Sequence, residues 1–132
     1  MVFHVENHLF SMSLGLGEGT NNFAEIMSLK LLLIFSLELE FKALSVFGDS
    51  LNVINWANGS QQCLHLRLGF LLEEINSLKN HFDLFLCRHV YRTFNKEVDR
   101  ASKEGLCLEL GHWKIREHKE GRAMDLPMRT FI

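Results

Sequence analysis

The order of apolar segments predicts an α/β layer fold with a partly parallel sheet. Two observations carry that prediction. Stretches with helical spacing alternate with short apolar runs that end in turn residues, in the order helix, strand, helix, helix, strand, helix. The chain has 132 residues, 47% hydrophobic, with a single proline, Pro127. That is enough apolar sequence for one layered core, and too little punctuation for a proline-rich or linker-dominated chain.

The segment before residue 15 reads as extended. Gly15, Gly17 and Gly19 then form a loop ending in Thr20-Asn21-Asn22. Asn22 is placed to cap a helix, with Glu25 three residues later closing a capping-box-like pair. Phe23, Ile26, Met27, Leu31 and Ile34 follow at helical spacing, so residues 22–38 read as a helix with a wide apolar face. Ala43–Phe47 is a short apolar run ending at Gly48-Asp49-Ser50, a buried strand turning into a helix. That helix carries Leu51, Val53, Ile54 and Trp56 and stops at Asn58-Gly59. Leu68, Leu71, Leu72, Ile75 and Leu78 make a stripe that places the next helix near 64–80. Phe82–Val90 reads as a strand, and Asn95 caps a last short helix ending before Gly105. Residues 106–132 show no periodicity and read as an irregular tail, which leaves residues 1–105 as the folded domain.

Charge is unevenly spread. Residues 1–87 carry four basic and nine acidic side chains, 88–105 five and three, and 106–132 five and four. An anionic partner is therefore expected at the C-terminal part, while a formal net charge of −2 excludes a generally cationic nucleic-acid coat. Cys63, Cys87 and Cys107 form no CxxC pair and no even disulfide set, so reduced thiols in an intracellular protein are expected. The N-terminus lacks the basic flank and apolar centre of a signal peptide. The longest apolar run, near Leu31–Leu37, falls far short of the ~20 residues that span a bilayer, so a soluble protein is expected.

Three acidic residues fall at element ends: Glu25 in the first turn of a helix, Asp49 at the end of a strand, and Asp99 in the first turn of the last helix. Strand ends and helix starts on one side of an α/β sheet are where such folds place their sites. Converging carboxylates suit Mg²⁺, a hard cation that takes oxygen ligands. Each acid also has an ordinary reading. Glu25 serves the Asn22 cap, Asp49 is a turn residue or the N-cap of the next helix, and Asp99 pairs with Lys103.

Longer motifs favour the site. Thr20-Asn21-Asn22-Phe23-Ala24-Glu25 resembles the TNNxAE signature of the RNase H superfamily, especially its plant, retroelement-related, reverse-transcriptase-like branch. Val46-Phe47-Gly48-Asp49-Ser50 resembles that family's strand ending in GDS. The segment from His89 to Asp99 is similar to its HVxRxxNxxAD stretch, with Val98 where alanine is usual. The resemblance spans roughly residues 1–105 and implies an RNase H-like fold, a mixed central sheet flanked by helices. It implies metal-dependent endonucleolytic hydrolysis of the RNA strand of RNA–DNA hybrids, with Mg²⁺ or Mn²⁺ held by Glu25, Asp49 and Asp99. His89, ten residues before Asp99, and Arg92, seven before it, are the implied candidates for water activation or product release. For His89 the alternative is a strand residue alternating with Cys87 and Phe85. Asn21 and Asn22 are placed to meet RNA 2′-hydroxyls, with a cap and a turn as their alternatives. Arg88, Arg92, Lys96, Arg100 and Lys103 are placed to meet phosphates, or to form a solvated helix face with Glu97 and Glu104. Asn58–Leu64 is short and uncharged, so the basic protrusion of some family members is absent and weak substrate affinity is expected.

One family feature is missing. The first strand of the family carries a metal-bridging aspartate, and only Glu6 and Glu18 are acidic before Glu25. Phe3–Ser13, with Asn7 as a turn, resembles the family's second and third strands, so the domain is expected to be N-terminally truncated, lacking its first strand. The strand ending at Asp49 would then lack its central neighbour in the family, so either another segment fills the gap or the sheet is incomplete and stability is low. Three readings follow: an RNase H-type nuclease, a degenerate non-catalytic domain that binds nucleic acid or a partner protein, and an inactive truncated product.

Overall fold

The structure is a computed structural model and describes residues 1–5, 8–15, 21–89, 100–101, 103–105, 108–119 and 122–130, with Asn21 and Lys119 described by backbone alone. Strands β1 (Val2–Val5) and β2 (His8–Leu14) lead into helix α1 (Asn21–Glu38). Strand β3 (Ala43–Gly48) is followed by α2 (Leu51–Asn58), α3 (Leu66–Lys79) and β4 (Leu84–His89). Residues 100–101 and 103–105 are helical, and β5 (His112–Lys119), β6 (Arg122–Asp125) and β7 (Arg129–Thr130) follow.

One mixed sheet runs in the order β4-β3-β1-β2-β5-β6, with β7 also paired to β5. Strands β3 and β4 are parallel, which is why α2 and α3 must intervene between them. The other pairings are antiparallel. The α/β class and the mixed sheet are those the sequence predicts.

Helix α1 is the centre of the core. Ile26, Leu29, Leu32 and Leu33 are fully buried, and Leu31 and Phe35 nearly so, which covers most of its circumference. A helix apolar on nearly all sides must be enclosed, and here the sheet lies on one side and α3 on another. The phase differs from the sequence reading, since Phe23, Met27 and Ile34 are only partly buried. Ser36 is buried within this helix and donates its hydroxyl to the Leu32 carbonyl at 2.7 Å, so it leaves no unmet polar group. Phe3, Phe10 and Met12 of the β1–β2 hairpin meet α1 from the sheet. Ser11 and Ser13, alternating with them, face the opposite side, where Ser13 donates to Glu104 at 3.4 Å. Glu104, in the helical stretch 103–105, thus lies over the sheet face away from α1.

One expectation needs correction, and one open alternative is decided. The segment 106–132 is not irregular: β5 pairs along the whole of β2 from Leu9 to Leu14, and Trp113 and Ile115 enter the core. Only two apolar residues alternate with polar ones there, too short a pattern to stand out. The open alternative concerns the gap beside β3. Strand β1 fills it directly, pairing antiparallel with β3 (Val2 with Phe47, Phe3 with Val46, His4 with Ser45), so the β3 backbone has partners on both sides.

Candidate active site

The ends of β3 and β4 and the start of α1 converge on one edge of the molecule. Glu25, one turn into α1, turns its carboxyl toward the β3–α2 junction, where the backbone N–H groups of Ser50 and Asp49 bond to it. It therefore does not serve its own helix start, and Asn22 lies inside α1 rather than capping it. The Asn22 Oδ1 instead accepts a hydrogen bond from the Ser50 hydroxyl at 2.6 Å.

Ser50 is the N-cap of α2, with φ −86° and ψ 109°, and its Oγ accepts from Val53 N–H at 3.3 Å. This leaves Asp49 outside the helix, exposed at the strand end. His89 closes the site from β4, its Nε2 3.1 Å from the Asp49 carbonyl oxygen. The carbonyl can only accept, so that nitrogen carries the proton in this arrangement. The strand alternation of His89 with Phe85 and Cys87 holds as well, since all three face inward while Arg88 is exposed. Arg88 therefore points to the opposite side of the sheet from His89 and is not brought to Glu25.

Glu25 is 9% exposed, and its Oε2 has no hydrogen-bond partner among the described residues. Burial pushes its carboxyl above the ordinary value of 4.5. The Met1 amine and the two backbone N–H bonds oppose that push, and nearby Asp49 adds to it. The same desolvation lowers the Met1 amine, and it raises the neighbouring Cys87 thiol to about 12. Cys87 is thus an inert core thiol rather than a nucleophile.

Gly48 makes this seating possible. A Cβ there would run into Glu25 Oε2 and would lie 3.1 Å from both Ile54 Cδ1 and Met1 Cε. Gly48→Ala is expected to destabilise the fold by about 1–3 kcal/mol through overpacking. An unchanged denaturation midpoint would mean that the carboxylate is not seated against β3.

A buried carboxylate oxygen without a partner, beside an exposed second carboxylate, is a donor set suited to a hard divalent cation. Among the described residues no three His, Cys, Asp or Glu side chains come close enough to enclose one. The described part of the site is the Glu25–Asp49 pair. Asp99, Arg92 and Lys96 lie outside the described residues, and for Asn21 only its place at the start of α1 is described. Sequence reasoning missed the role of Ser50 as the link between Asn22 and α2. The Gly48-Asp49-Ser50 triplet held that signal, because serine is a strong N-cap after a strand.

The chain matches the reverse transcriptase-like family over residues 4–105. Among solved structures it is similar to the N-terminal RNase H domain of rv2228c from Mycobacterium tuberculosis, solved as a fusion with maltose-binding protein. That match has 26% identity over 71% of this chain and 72% of that one, with a TM-score of 0.65. It shares its fold with RNase H1 from the halophilic archaeon Halobacterium salinarum, at 23% identity over 76% of this chain and 85% of that one, with a TM-score of 0.63. No curated protein is significantly similar in sequence.

Proposed function

The chain belongs to the reverse transcriptase-like family, and from that membership we propose that its Glu25–Asp49 site binds RNA–DNA hybrids and hydrolyses their RNA strand with Mg²⁺ or Mn²⁺. The observation that carries this reading is the buried Glu25 carboxyl with its unpartnered Oε2, held beside Asp49. Glu25 and Asp49 would hold the cation together with Asp99, and phosphate oxygens of the substrate complete such a shell. The bound cation supplies an acidified water and charge stabilisation at the scissile phosphodiester.

The remaining roles rest on the chain's own groups. Asn22 has its Oδ1 engaged by Ser50, and its amide N–H groups are assigned as donors for a 2′-hydroxyl. Asn21, one residue earlier, is assigned to the same strand. His89, anchored to the Asp49 carbonyl, is placed to move a proton at the site edge. Arg92 is the alternative for that role, and Lys96 is assigned to phosphates farther along the hybrid, whereas Arg88, on the opposite side of the sheet, is not. A reducing, intracellular compartment is assigned from the odd cysteine count without a CxxC pair. No helix among the described residues is long and apolar enough to cross a membrane.

A labelled hybrid incubated with Mg²⁺ tests the proposal. RNA-strand cleavage is expected, falling by about hundredfold or more in Asp49→Asn. Cleavage that persists in that variant would place the activity elsewhere.

One observation favours a second reading, binding without hydrolysis. The strand beside β3 is Val2-Phe3-His4-Val5, which contributes no carboxylate where the family carries its bridging aspartate. Under this reading the hybrid is retained at low salt and released as salt rises, with no cleavage at any Mg²⁺ concentration. Failure to bind at low salt would exclude it.

A further inference from the structure

A cavity of about 540 Å³ opens at the other end of α1, between the C-terminal half of that helix, the hairpin end of β2, and strands β5 and β7. Phe35, on its wall, is ten residues beyond Glu25, which places the cavity ~15 Å along the helix axis from the candidate active site. The volume lies within the range of about 300–1,000 Å³ typical of small-molecule sites.

Its walls are aromatic. Phe10, Phe35 and Phe41 meet one another with ring centres 6.0, 6.0 and 6.4 Å apart, and Trp113 of β5 closes the side. The wall's one carboxylate is already engaged, since Glu117 Oε1 lies 2.7 Å from His8 Nδ1. What remains unspent is donor capacity. Arg129 lies with its guanidinium 5.7 Å from the Phe35 ring centre and 5.3 Å from that of Trp113. Among the described residues it bonds only Glu38, through Nη2. A guanidinium carries five N–H donors in a planar fork, so most of its capacity faces outward from that one bond. The Trp113 Nε1–H is buried and has no acceptor among the described residues. Flat apolar walls beside unmatched donors call for a flat apolar molecule that ends in acceptors.

We infer that this cavity binds a planar aromatic molecule of two or three rings carrying one acidic group, with the acid at Arg129. The site is independent of the hydrolytic reading, because no residue is shared between them.

Two dyes of similar ring system test it on the full chain: anilinonaphthalene sulfonate and the uncharged phenylnaphthylamine. The sulfonate is expected to saturate a single site, quench Trp113 fluorescence by energy transfer, and raise the melting temperature. It is expected to bind about tenfold more tightly than the uncharged dye, and Arg129→Gln to remove that preference while sparing the uncharged dye. Leu39→Trp fills the rim from a half-exposed position, 49% exposed, where the fold tolerates change, and is expected to abolish binding of both. Non-saturable binding, equal affinity for the two dyes, or sulfonate binding unaltered in both variants would each overturn the inference.

Discussion

Glu25→Gln removes the loss of stability that its carboxyl causes in EDTA as pH rises above the ordinary value of 4.5, and with it the response to Mg²⁺. The sign follows from the raised carboxyl. Burial holds the proton on folded Glu25 at pH values where the unfolded carboxyl has already lost it. The stabilising contribution is therefore complete below the ordinary value of 4.5 and is lost as pH rises through the higher folded value. Above that point the wild type carries a buried, unpartnered carboxylate oxygen, a penalty of about 1–3 kcal/mol. Glutamine keeps an acceptor for the Ser50 and Asp49 N–H groups and cannot ionise, so the variant lacks the carboxyl's loss of stability with rising pH, while the buried Met1 amine still titrates in both proteins. A divalent cation reverses the wild-type penalty by replacing the proton. At ten times its Kd the cation adds roughly 1.4 kcal/mol, which the glutamine variant does not gain. Denaturant melts at several pH values, with and without Mg²⁺, read both effects. A wild-type curve in EDTA that runs parallel to the variant's would show that Glu25 is not buried as described. A Mg²⁺ response that survives in the variant would place the cation elsewhere.

The same carboxylate shows what was legible in the sequence. Its position in the first turns of α1 and its association with Asp49 follow from the motifs, because both residues stand at element ends that periodicity locates well. The Asn22 cap was a sound local inference with a non-local answer. The Ser50 hydroxyl reaches Asn22 from 28 positions away, and no local pattern encodes that bond. The pairing of β1 with β3 was equally hidden. Val2 and Phe3 are buried on opposite faces of this strand, and their apolar character says nothing about which strand lies alongside. The aromatic cavity needed β5 in place before its walls existed, and β5 offers only Trp113 and Ile115 as apolar signals.

Removing residues 108–132 is expected to abolish cooperative folding, although the family match ends at residue 105. Strand β5 supplies the hydrogen-bonding partner of β2 along six residue pairs, and its loss leaves that row of backbone groups as an open edge. Apolar packing outweighs the ionic contacts of this segment. Arg116 joins Glu104 and Asp125, each at 2.6 Å, and holds the Asp125 carboxyl below its usual range, yet all three side chains keep solvent contact. Neutralising Arg116 is expected to cost about 1 kcal/mol or less. Trp113, 3% exposed, belongs to the main core cluster, and Trp113→Ala is expected to cost about 3–5 kcal/mol. Trp113→Phe separates volume from polarity. It keeps most of the ring and removes an N–H that has no acceptor among the described residues, so it is expected to cost less than about 1.5 kcal/mol. Thermal melts of the three point variants and the deletion give the order: Arg116 least, Trp113→Ala far more, and a broad transition with exposed apolar surface for the deletion. A sharp, cooperative melt of residues 1–107 alone would show that β2 needs no neighbour on that side.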